Sequence, residues 1–174
     1  MASMLLLSLA GITRYAVAQP LLPAWLAHML HQRVPALPPG MTYDFEVIDP
    51  VTRHPLEALP EIGSVELRLA VTNDSALPMK LHFKTAKQNE FVVRRVYTFV
   101  NGLFALPLEV WRSSYFHNYA KHRTVVVLMP GQTKVYQALF QINALRSREL
   151  PPGAYRVVAD FYGWQTSMSM TKPQ

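Results

Sequence analysis

Apolar side chains at every second position constrain this chain more than any other feature. In residues 64–72 (SVELRLAVT), Val65, Leu67, Leu69 and Val71 share one face, and Glu66, Arg68 and Thr72 share the other. Extended backbone sends successive side chains to opposite faces, so this segment reads as a strand with one buried side. The same period recurs in Tyr43, Phe45 and Val47, and in Tyr155, Val157, Ala159 and Phe161. It recurs again where Met79, Leu81 and Phe83 alternate with Lys80, His82 and Lys84. Residues 90–100 (EFVVRRVYTFV) are rich in β formers and run into Asn101-Gly102, a signal for a type I′ hairpin. Residues 103–111 supply the returning strand, where Pro107 marks an edge or a bulge. Residues 124–129 (TVVVLM) form an apolar strand closed by Pro130-Gly131, and residues 132–141 read as another strand. About seven or eight short strands without βαβ alternation predict an all-β protein. The expected fold is an immunoglobulin-like antiparallel β-sandwich over 41–164, with a closed barrel as the structural alternative.

The connecting segments follow from composition. Residues 50–63 are proline-rich and break the pattern, and 112–123 (RSSYFHNYAKHR) suggest a loop with a short helix. Residues 143–153 (NALRSRELPPG) form the longest late loop, and the polar stretch 165–174 reads as a flexible tail. Ahead of the body lies a different kind of sequence, residues 1–40. Residues 4–12 are apolar but too short to span a bilayer, so no transmembrane span is expected. Ala16-Val17-Ala18 resembles a cleavage site, yet Arg14 follows the apolar run instead of preceding it. With no acidic residue before Asp44, the leader also suits an organelle transit peptide. The location expected is intracellular, cytoplasmic or mitochondrial, with secretion after cleavage left open. Leu22, Trp25, Leu26, Met29 and Leu30 make one apolar helical stripe. This predicts a helical arm that docks through Trp25, Leu26 and Met29 on a partner, a membrane or its own domain. Residues 34–40 (VPALPPG) read as a stiff linker.

Half of the 174 residues are hydrophobic and 16% are charged, so the chain has the means to build a core. It has no cysteine, which excludes disulfides, thiolate zinc sites, iron–sulfur clusters and a cysteine nucleophile. Charge is unevenly spread: residues 1–74 hold four basic and seven acidic residues, and residues 75–174 hold thirteen and four. A basic half of this kind attracts nucleic acid, anionic lipid or an acidic protein.

Residues that carry chemistry are sparse. His28 and His31 lie one turn apart, and His117 and His122 share a loop, but neither pair has the carboxylate neighbours of a metal site. Asp44 and Glu46 share one strand face and Asp49 points the other way, so no cage of three oxygen ligands forms. No glycine-rich phosphate loop or nucleophile elbow is present. The expectation is a non-enzyme without metal or cofactor. Arg94-Arg95 must divide between the two faces, so one of them is paired or reaches an edge. Asn73-Asp74-Ser75 matches a glycosylation sequon and also reads as a turn cap. Trp111 reads as a core tryptophan bridging two sheets before it reads as a binding anchor.

Over residues 64–162 the body resembles the intracellular proteinase inhibitor (BsuPI) domain family. The resemblance rests on ordered pieces: LRLAVTNDS (67–75), PMKLHF (78–83), QNEFVV (88–93), EVWRSSYF (109–116), LMPGQ (128–132) and PPGAY (151–155). Glu90 stands where the family usually has aspartate before phenylalanine, and the stretch from Val93 to Trp111 is longer than the family pattern. The resemblance implies an immunoglobulin-like sandwich and inhibition of a serine protease. It supplies no inhibitory loop. The chain itself offers Arg146, Ser147 and Arg148 within 143–153, where an arginine suits an acidic specificity pocket and Pro151-Pro152 would stiffen the loop. The alternative role is a structural or adaptor subunit of a larger, possibly organellar, assembly. The expected partner is therefore a protein, a serine protease or assembly subunits, with nucleic acid standing behind both.

Overall fold

The computed structural model describes residues 37–99, 104–115, 117–142 and 150–174. Among these it is all-β and contains no helix. Nine strands are described: β1 (Met41–Ile48), β2 (Ser64–Asn73), β3 (Met79–Phe83), β4 (Asn89–Phe99), β5 (Phe104–Arg112), β6 (Thr124–Leu128), β7 (Thr133–Gln141), β8 (Gly153–Phe161) and β9 (Trp164–Lys172). They form three antiparallel sheets, ordered β1-β2-β7, β3-β6 and β5-β4-β8-β9.

The alternation decides which side of each strand is buried. Val65, Leu67, Leu69 and Val71 on β2 are fully buried and join Phe45, Val47, Phe91, Val93, Phe140, Tyr155 and Phe161 in one core. Aromatic pairs tie the sheets together. Phe45 of β1 stacks on Phe91 of β4, Trp111 of β5 packs on Phe140 of β7, and Phe161 of β8 touches both Phe83 of β3 and Tyr136 of β7. Trp111 therefore bridges two sheets, as its sequence context predicts. Such ring pairs contribute beyond the area they bury.

Two turns show how local chemistry sets the strand ends. Pro38 to Met41 closes a turn through Met41 N–H donating to the Pro38 carbonyl at 3.1 Å. Pro39 and Gly40 occupy its central positions, and Gly40 has φ +79°, the pattern of a type II turn. A side chain at Gly40 would also come within 2.8 Å of the Ser75 Cβ. The last residues of the proline-rich stretch thus enter the sheet through a turn, and Leu37 packs on the core. The second device is Asn73, which is fully buried. Its Nδ2 donates to the Leu77 and Leu128 carbonyls, each at 2.9 Å, and its Oδ1 accepts from Ser75 N at 3.0 Å and Ser75 Oγ at 2.6 Å. The sequon is a turn lock: its amide nitrogen is inside the protein and both of its hydrogens are committed.

Two expectations are corrected. Residues 165–174 are not a flexible tail, because β9 pairs with β8 along its whole length. Trp164, Thr166, Met168, Met170 and Lys172 turn inward while Gln165, Ser167, Ser169 and Thr171 face solvent. The alternation is real but is written in serine, threonine and methionine, which carry little apolar contrast. Residues 112–123 hold no helix among the described residues. Their backbone groups bond across the chain instead: Ser113 N–H to the Phe91 carbonyl, and Ala86 N–H to the Ala120 carbonyl. The expected helical arm, with Trp25, Leu26 and Met29, and the loop residues Arg146, Ser147 and Arg148 lie outside the described residues.

Candidate functional site

Two of the quoted sequence pieces, QNEFVV and EVWRSSYF, meet on the outer side of the β4–β5 pair. Phe91 N–H donates to Ser113 Oγ at 3.0 Å, and Ser113 N–H returns to the Phe91 carbonyl at 2.9 Å. This pins β4 to the end of β5. The Glu90 carboxylate then accepts from Ser114 Oγ, pairs with Lys87 Nζ at 2.5 Å and faces Arg112 at 3.6 Å. Arg112 in turn forks onto Glu109, with Nε to Oε1 at 2.7 Å, while Tyr115 Oη donates to the same oxygen at 2.8 Å. The result is a half-buried chain of Lys87, Glu90, Arg112, Glu109 and Tyr115. A bulge between Val93 and Arg94 shifts the register, so that Glu109 lies opposite Arg94.

Arginine's two-pronged hydrogen bond holds the Glu109 carboxyl below the usual glutamate range, and the same carboxylate pushes the Tyr115 phenol up. The folded protein therefore prefers Glu109 ionised. That contribution to stability is complete above the ordinary glutamate value of 4.5 and is lost as the pH falls through the lower folded value. Urea midpoints followed from neutral to acid pH should drop in this window. Glu109→Gln should flatten the acid limb, and an unchanged limb would show that the fork does not form in solution.

The second geometry lies at one end of the sheets. The chain leaves β7 at Ile142, whose N–H donates to the Gly63 carbonyl at 2.8 Å, and returns at Leu150, whose N–H donates to the Ile142 carbonyl at 3.2 Å. Both side chains are fully buried. Tyr155 Oη donates to the Pro151 carbonyl, and Arg95 Nη2 donates to the Pro152 carbonyl at 3.0 Å. The Arg95 guanidinium also sits 4.9 Å from the Tyr97 ring centroid. Arg94 faces Arg156 on the opposite side of the sheet, so the two adjacent arginines divide as expected. The described residues on either side of 143–149 thus form a neck, with Ile142 and Leu150 as two buried apolar anchors and a two-point clamp on Pro151 and Pro152.

The remaining candidates are structural. Glu46 pairs with Arg68 at 2.8 Å, and Asp49 Oδ1 accepts from the Val51 and Thr52 N–H groups, which lowers its pKa. Among the described residues no three histidine, aspartate or glutamate side chains converge as metal ligands. No helix among them is long and apolar enough to cross a membrane.

A family model for the intracellular proteinase inhibitor domain, BsuPI, matches residues 54–165, most of the chain. The chain belongs to the BsuPI family. Every quoted piece from PMKLHF to PPGAY falls inside that match. BsuPI is an inhibitor family, with which a non-enzymatic protein fits. No curated protein matches the chain. Among solved structures, a mutant β-glucosidase from Listeria innocua in complex with laminaribiose aligns at 11% identity and TM-score 0.40, over 77% of this chain and 16% of that one. A β-glucosidase from Erythrobacter marinus aligns at 12% identity and TM-score 0.43, over 76% and 15%. A Pseudomonas fluorescens alkylpurine DNA glycosylase bound to DNA with an abasic site analog aligns at 12% and TM-score 0.43, over 78% and 31%. This BsuPI chain therefore spans less than a third of each of these proteins.

Sequence reasoning named the pieces around Glu90 and Trp111 without the carboxylate network that joins them. The signal was a basic residue three positions from each glutamate, at Lys87 and Arg112. It missed the neck altogether, because Ile142 and Leu150 are ordinary apolar residues until the Leu150 N–H meets the Ile142 carbonyl.

Proposed function

We propose that this protein inhibits a serine protease non-covalently, using residues 143–149 as the segment that enters the cleft. Family membership is the observation that carries this reading. The neck supports it, since a loop whose ends are held loses less entropy on binding than a free one. Arg146 is the residue assigned to an acidic specificity pocket, Ser147 and Arg148 flank it, and Pro151-Pro152 brace the exit. The partner is then a protease, and the family's designation supports an intracellular site of action. We also read the sheets as an immunoglobulin-like sandwich, supported by the aromatic pairs between them. The sequence ahead of the Pro38–Met41 turn is assigned to an arm that docks through Trp25, Leu26 and Met29.

The test is a titration of the full chain against a panel of serine proteases of differing specificity. Inhibition of a protease that cleaves after arginine is expected, with Arg146→Ala weakening it by roughly 30-fold or more, as for a central contact residue. The unfolding temperature of the variant is measured beside that of the parent, and an unchanged value assigns the weakened inhibition to the lost side chain and not to lost fold. Full activity across the panel would overturn the reading.

A further inference from the structure

The two-stranded sheet β3-β6 has an outer face that sets an apolar column beside a basic one. Its inward residues, Leu81, Phe83, Val126 and Leu128, are core. Its outward residues form two columns. On β6, Val125, Val127 and Met129 just beyond the strand are 53%, 46% and 54% exposed. On β3, Lys80 lies opposite Val127 and His82 opposite Val125, and one step beyond the ladder Lys84 and Arg123 follow. Lys121 and His122 stand next in the chain, and all of these are exposed. No acidic residue occurs in 75–89 or in 110–148. Among the described residues Lys80, Lys84, Lys121 and Arg123 take part in no ion pair.

The free edge of β6 sharpens the point. Among the described residues β6 pairs with β3 alone, and no other strand runs beside it. Thr124–Met129 (TVVVLM) contains no charge, proline or glycine. Proteins protect exposed edges with lysine, proline, a bulge or a covering segment. β5 has Pro107 and a bulge, and β9 turns Lys172 inward. β6 has no lysine, proline or bulge of its own, and among the described residues no segment covers its free edge. An uncharged, β-rich edge left open is a template for another strand.

We propose that an extended acidic segment of a partner protein adds to the free edge of β6 as a third strand. Backbone hydrogen bonds would satisfy the open edge. Neighbouring strands lie about 4.8 Å apart, so a glutamate beside Val127 reaches over it toward Lys80 across roughly 10 Å, a span two extended side chains close. Alternate carboxylates would meet Lys80, Lys84 and Arg123, while apolar side chains cover Val125 and Met129. The charge pattern selects the occupant. A second copy would set basic face against basic face, and residues 1–43 of this chain carry no carboxylate side chain to offer.

The experiment uses the full chain and a labelled octapeptide of alternating glutamate and valine. Saturable binding is expected, weakening with salt. Lys80→Glu with Lys84→Glu should lower affinity at least tenfold, and both positions are exposed, so the variant keeps its fold. A peptide N-methylated at alternate residues should lose binding, because it cannot donate to the edge. Absent binding, equal binding by the N-methylated peptide, or no effect of charge reversal would overturn the proposal. So would self-association of the chain, or recruitment to phosphatidylserine vesicles in place of the peptide. Arg146→Ala should leave peptide binding unchanged, which separates failure here from failure of the inhibitory reading.

Discussion

Asn73→Ala is expected to destabilise the protein by about 3–5 kcal/mol, measured from urea unfolding. Asn73 is 0% exposed and sits where the end of β2, the turn into β3 and the end of β6 meet. Its side chain makes four hydrogen bonds there, two as donor to main-chain carbonyls and two as acceptor from Ser75. Alanine leaves the Leu128 carbonyl without its one buried side-chain partner and the part-buried Ser75 N–H without an acceptor, while the Leu77 carbonyl keeps only Ser75 Oγ at 2.9 Å. Each unpaired buried group costs about 1–3 kcal/mol, and partial entry of water sets the lower end of the range. Asn73→Asp is a sharper test of the same geometry. It keeps the shape and the oxygen that accepts both Ser75 bonds but removes both N–H donors, and it aims a carboxylate oxygen at two carbonyl oxygens. It should be at least as damaging at neutral pH. Asp74→Ala, one residue on, loses an exposed bond from Thr42 Oγ1 at 2.6 Å and should cost well under 1 kcal/mol. A loss below 1 kcal/mol for Asn73→Ala would mean that the turn lock is not built as described.

Asn73 also shows what was legible. Asn-Asp-Ser announces a turn in any chain, and the turn is where the pattern places it. What no local pattern states is that this asparagine reaches Leu128, far along the sequence, and so closes β2 against β6. β1, β2, β3 and β8 were legible because apolar side chains alternate with polar ones on extended backbone, β4 and β6 because they are rich in β formers, and β5 because Asn101-Gly102 announces a return. β9 was not, since Ser167, Met168, Ser169 and Met170 read as uniformly bland. Its signal lay in Tyr162-Gly163, with φ of +55° and +82°, which pairs Phe161 with Trp164 across a two-residue turn of the I′ kind. Tyrosine is a rare occupant of that first position, and a pattern built on Asn-Gly passes over it. The Glu90 network was legible in parts only. Glu109 and Arg112 are near in the chain, but Glu90 joins them through a pairing of β4 with β5 that the bulge displaces.

Phe161→Ala should remove about 3–5 kcal/mol, a large share of the 5–15 kcal/mol that holds a domain together. Phe161 is the residue on which all three sheets converge. It belongs to β8, its ring centroid lies 5.9 Å from that of Phe83 on β3 and 5.5 Å from that of Tyr136 on β7, and it is wholly buried. Truncation removes the ring's burial and leaves a cavity that three rigid sheets close only in part. Tyr136 reports on the same space, because its burial there pushes the phenol far above its ordinary pKa. If the cavity admits water, that burial weakens, and the tyrosine should titrate at lower pH in Phe161→Ala than in the parent. Tyr162→Ala provides the contrast. That ring is 42% exposed and stacks on the outside of the same cluster, so its loss should cost far less. Phe161→Leu should recover much of the stability by refilling the volume. Equal losses at 161 and 162 would place the centre of the core elsewhere and break the account of how β3-β6 is held to the other two sheets.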